Sequence, residues 1–93
     1  MLGKAVAHNE IDEKWLQTAL EQFAHTRSTL TRDQIQEHAD WLAVRSARRF
    51  GDAGEQYDDL LQVARLGLFK AIERFNPDLG IPFGAFATPT IVG

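Results

Sequence analysis

The chain has 93 residues, 44% of them hydrophobic and 25% charged, which is the composition of one ordinary globular domain with room for a single core. It contains no cysteine and carries a formal net charge of −3, so a disulfide framework and a thiolate site are excluded, and strong general affinity for nucleic acid, which rests on neutralising phosphates, is not expected. No stretch approaches the roughly 18 consecutive apolar residues of a membrane span, and MLGKAVAHNE lacks the apolar centre of an export signal, so a soluble cytoplasmic protein is expected.

Residues 1–8 show no periodicity and are expected to be frayed or disordered; the folded part is assigned to residues 9–93. A first helix is predicted over about 9–24. Asn9 can cap it, Glu10, Asp12 and Glu13 suit its first turn, and Trp15, Leu16, Ala19, Leu20 and Phe23 form an apolar stripe. HTRSTL reads as a connection, after which Thr31 and Gln34 have capping-box spacing before a second helix over about 32–50. Ile35, Ala39, Leu42, Ala43, Ser46 and Phe50 share one side of it, and Gly51 is placed to end it. Arg45, Arg48 and Arg49 lie close together here and, with Trp41, form either an ordinary solvated face or a small basic and aromatic surface.

The glycines of GDAGEQ permit a reversal into a third helix, over about 58–75, whose periodicity dominates the chain. Asp58 and Asp59 suit its positive end, and Asn76-Pro77 ends it, because a residue before proline avoids helical geometry. Leu60, Leu61, Ala64, Gly67, Leu68, Ala71, Ile72 and Phe75 fall on one face, with Leu61, Leu68 and Ile72 assigned to the core. The other face sets Val63, Leu66 and Phe69 among Asp59, Gln62, Lys70 and Glu73. An apolar strip with polar edges describes a partner-binding surface; the alternative is a central helix buried on both sides.

NPDLG reads as a turn, with Pro77 presetting φ and Gly80 available for an irregular position. A short helical segment is expected over about 83–92, in which Thr88-Pro89 has the preferences of an N-cap and first helical position. The fold class is therefore all-α, a small bundle of three main helices and a short C-terminal helical segment. His8, His25 and His38 are scattered, Asp58 and Asp59 point in different directions, and no glycine-rich phosphate loop precedes a helix. Neither catalysis, a metal nor a cofactor is expected.

LAVRSARRF followed by DDLLQVARLGLFKAIERFNPDLGIPFGAFATPTIVG resembles region 2 of bacterial RNA polymerase sigma factors of the sigma-70 family, nearest the alternative stress, sporulation and flagellar group. The resemblance covers about residues 40–93 and rests on D-L-x-Q, G-L-x-K-A, R-F-x-P and F-A-T-P-T-I-V-G in order and at family spacing. It implies an N-terminal part of sigma domain 2 that docks on the clamp helices of the polymerase β′ subunit. The family's contact positions fall on Asp40, Ala43, Asp59, Leu60, Gln62, Val63, Arg65 and Phe69. It also implies that Phe83 and Phe86 belong to the segment that receives unstacked bases of the −10 promoter element in the full-length protein. Where primary sigma factors carry a tryptophan pair, Pro89-Thr90 stands here, the version usual in the stress and sporulation group. The family's basic helix that reads the −10 element would follow Gly93, so the chain is expected to be truncated before it, by design or naturally. A different class of function, an interaction module held by an anti-sigma factor or self-associating through surface bared by truncation, is the alternative.

Overall fold

The computed structural model describes residues 10–50 and 56–92, and among these every regular element is helical. The order is α1 (Glu10–Thr26), α2 (Thr29–His38), α3 (Asp40–Phe50), α4 (Tyr57–Arg74), a single 3₁₀ turn (Pro77–Leu79) and α5 (Phe83–Val92). No described helix is long and apolar enough to cross a membrane. The caps predicted at Asn9 and Gly51 lie outside the described residues.

The α1–α2 reversal is tighter than the connection predicted for HTRSTL. Only Arg27 and Ser28 separate the two helices, Arg27 with φ 54° in the left-handed region and its N–H donating to the Phe23 carbonyl at 2.8 Å, which closes the last turn of α1. Its guanidinium donates to Glu73 Oε1 at 2.9 Å and to the Glu73 carbonyl at 3.3 Å, and its Cζ lies 4.3 Å from the centre of the Phe23 ring. Ser28 is the N-cap of α2 and accepts from the Thr31 N–H at 3.3 Å. The cap thus falls three positions earlier than the Thr31 the sequence suggested: Thr31-x-x-Gln34 has the box spacing, but Ser28 caps through its own hydroxyl with no Glu or Gln three residues on.

The single helix expected over about 32–50 is two helices, α2 and α3, broken at Ala39. Ala39 has φ −96° and ψ 8°, donates to the Ile35 carbonyl at 2.9 Å and accepts from the Leu42 N–H at 3.0 Å, so the ladder tightens there before resuming. No glycine or proline marks the break. Its effect is to make Asp40 the first residue of α3, beside α4.

The core lies where α3, α4 and α5 meet, with α1 and α2 closing one side. Small residues occupy that junction: Ala43 and Ala47 on α3, Ala64, Gly67 and Ala71 on α4, and Ala87 on α5 are all buried. They let helix axes approach, while Leu20, Ile35, Leu68 and Ile72 fill the interior, each fully buried and contributing about 1.5–3 kcal/mol. Leu61, assigned to the core from periodicity, is only half-buried and packs against its edge. Trp15 is 40% exposed and stacks at a tilt on the His38 ring, 4.4 Å away, instead of joining the apolar stripe of α1. Ser46 is half-buried, and Ala47, which the wheel did not single out, is the buried residue of that turn.

Beyond α4 the turn forms as composition suggests: the Asn76 side chain accepts from the Asp78 N–H at 3.0 Å, and Gly80 takes φ 75°. Helix α5 begins at Phe83, with the Pro82 carbonyl accepting from Ala85 and Phe86, so Pro89 lies inside the helix and not at the start of one. The Thr88 hydroxyl donates to the Gly84 carbonyl at 2.8 Å and the Thr90 hydroxyl to the Phe86 carbonyl at 3.4 Å, one on either side of the Ala85 carbonyl that Pro89, having no N–H, cannot serve.

Candidate functional site

Helix α4 is amphipathic in an unusual way. Its inner face is the buried run from Ala64 to Ile72, and its outer face leaves Val63 64% and Leu66 55% exposed. Asp59, Gln62, Arg65 and Lys70 are exposed around them, so an apolar strip is framed by charges and an amide. This removes one of the two readings of that face: the helix is not buried on both sides.

Two flanks complete the face. On one, Arg65 Nε and one terminal nitrogen donate to the two carboxylate oxygens of Asp40, both at 2.7 Å, a bidentate pair linking α4 to the first residue of α3. The hydrogen bond to Asp40 raises the Arg65 pKa further above its already high ordinary value, so the charge is fixed at any physiological pH. Gln36 of α2 donates to the Arg65 carbonyl at 3.2 Å. Next to this pair Phe69 is half-buried, with the Arg32 guanidinium 4.9 Å from its ring centre. Arg32 also lies 3.6 Å from Glu73, which in turn binds Arg27.

On the opposite flank Leu60 and Val63 form one lip of a hollow of about 160 Å³, closed by Ser46 and Ala47 of α3 and by Ile91 and Val92 of α5. Asp40, Asp59, Leu60, Gln62, Val63, Arg65 and Phe69 are thus brought onto or beside one surface. Ala43 is not: it is fully buried in the core of α3, where it supports that surface from beneath and touches nothing outside.

The two aromatic positions of the last segment part company. Phe83 is 4% exposed and meets Phe75 edge to face, with ring centres 5.2 Å apart at 89°, so as folded it offers no free π face. Phe86 is half-buried, its ring centre 5.5 Å from that of Phe75. Sequence reasoning passed over Leu79 and Ile81, exposed to 63% and 44% in the approach to α5. It also passed over a hollow of about 360 Å³ between α1, α3 and the start of α5, walled by Trp41, Leu42 and Phe83. Only contact across long sequence separations could reveal it. Arg45, Arg48 and Arg49 are exposed, and Arg45 lies 5.6 Å from the Trp41 ring centre.

The family model of sigma-70 region 2 matches residues 34–93, from the middle of α2 onward. RNA polymerase sigma factor SigF of Mycobacterium tuberculosis is 50% identical over 62 residues, covering 67% of this chain and 24% of the relative. RNA polymerase sigma-B factor of Bacillus anthracis is 33% identical over 72 residues, covering 77% of this chain and 28% of the relative. RNA polymerase sigma-F factor of Kitasatospora aureofaciens is 46% identical over 48 residues, covering 52% of this chain and 16% of the relative. The chain therefore spans between 16% and 28% of the length of these curated relatives. No solved structure matches it. With all-helical architecture, alternative sigma factors as relatives and more than half of its residues inside the region 2 match, the chain belongs to the sigma-70 family.

Proposed function

We propose that this chain serves transcription initiation as region 2 of an alternative sigma factor, docking on the β′ clamp helices of core RNA polymerase through the outer face of α4. The observation that carries the reading is the exposed Val63–Leu66 strip, set between Asp59, Gln62 and the Asp40–Arg65 pair on a helix whose other face is core. Such a strip gives a partner helix an apolar seat, and its polar frame fixes register. Leu60, Gln62, Val63, Arg65 and Phe69 are the contacts, and Ala43 acts only by holding α3 in place. Phe86 is the platform for an unstacked base of the −10 element, its ring resting at a tilt against that of Phe75.

Titration of the chain with core RNA polymerase tests this. Gln62→Ala removes a polar group from the face without touching the core, and truncating one partner of a desolvated hydrogen bond costs about 1–3 kcal/mol, so affinity is expected to fall roughly tenfold with an unchanged melting temperature. Phe69→Ala is expected to weaken binding similarly. Unchanged affinity for both variants removes the assignment.

A further inference from the structure

Asp40 and Arg65 occupy two positions of the docking face, yet each is committed to the other. The pair uses Arg65 Nε and one terminal nitrogen, at 2.7 Å each, and leaves the remaining N–H groups of the guanidinium unspent. The Arg65 side chain is 48% exposed and that of Asp40 30%, so it is the arginine that reaches outward. The break at Ala39 sets Asp40 at the positive end of α3, which favours its anionic form, and Gln36 of α2 holds the Arg65 backbone through its carbonyl. A bidentate fork of this kind is the exception among half-exposed ion pairs and ties α4 to α3 as well, so its contribution to folding has to be measured separately from its contribution to binding. Holding a long, rotamer-rich side chain in one orientation lowers the entropy lost when a partner binds it.

We propose that Asp40 is a positioning residue and not a contact: it clamps the Arg65 guanidinium so that its outer N–H edge stands on the docking face and donates to a carboxylate or carbonyl oxygen of the partner. This rests on the docking reading of α4 and adds a division of labour within it, in which Asp40 acts only through Arg65.

The test is a double-mutant cycle on the chain, titrated with core RNA polymerase, with melting temperature recorded for every variant. Arg65→Ala is expected to weaken binding on the order of tenfold and Asp40→Ala on the order of fivefold, while the double variant is no weaker than Arg65→Ala alone. The swapped pair, Asp40→Arg with Arg65→Asp, is expected to melt slightly below the wild type, since a cation then meets the positive end of α3, and to bind poorly while still folded, because the cation sits on the wrong helix. Three outcomes overturn the proposal: unchanged affinity for Arg65→Ala, an Asp40→Ala effect that persists in full without Arg65, or binding restored by the swap. Should Gln62→Ala weaken binding while Asp40→Ala does not, the docking face stands and the positioning role falls. Absence of binding by the wild-type chain removes both.

Discussion

Arg27 is a residue in which backbone and side chain pull in opposite directions. Its left-handed φ of 54° is a conformation that costs a non-glycine residue about 1–2 kcal/mol, while its guanidinium reaches 46 positions along the chain to Glu73 and covers Phe23. Arg27→Ala keeps the strain and loses the contacts; Arg27→Gly loses the contacts and the strain together. The glycine variant should therefore be more stable than the alanine variant by about 1 kcal/mol, measurable as a difference in denaturation midpoint. Equal midpoints, or a more stable alanine variant, would mean that the turn relaxes out of the left-handed region. Nothing in HTRSTL announced this. Where glycine is absent, a left-handed residue has no sequence signal, and the partner that offsets its strain lies on another helix. Phe83 failed to be legible for a related reason: an aromatic residue at a helix start reads alike whether its ring turns inward to Phe75 or outward.

At the scale of elements, α4 was the most legible part of the chain, because Leu68, Ile72 and Phe75 repeat at helical spacing and are all buried. The break between α2 and α3 was invisible, since Ala39 is a good helix former and only its environment tightens the ladder. The contact between α4 and α5 is also an element-scale fact. A Cβ placed on Gly67 would stand 2.8 Å from the Ile91 Cα and 3.2 Å from the Thr90 carbonyl oxygen, both backbone atoms that no rotamer change can move aside. Gly67→Ala should therefore destabilise the chain by about 1–3 kcal/mol, against the stabilisation of up to about 1 kcal/mol that the same change gives in an exposed helix interior. A guanidinium denaturation series decides the sign. A stabilised variant would show that the two helices sit farther apart than described.

For the whole molecule the balance of charge governs what the chain can do unaided. With a net charge of −3, one half-buried platform at Phe86 and the Phe83 ring in the core, the isolated chain should bind a single-stranded −10 oligonucleotide weakly or not at all at near-physiological salt. Fluorescence anisotropy would show it, and sub-micromolar, sequence-dependent binding would contradict it. Binding seen only at low salt and blind to sequence would point to Arg45, Arg48 and Arg49, and reversing their charge should abolish it. The close approach at Gly67 has one more consequence for the molecule as a whole. Between most packed helices interdigitated side chains set the distance between axes. At Gly67 the backbone of α5 takes that place, and one turn away, at Val63, begins the exposed strip. The outside of α4 at Val63 and the last turn of α5 at Ile91 and Val92 thereby wall a single hollow, so whatever is seated against the first also stands against the second.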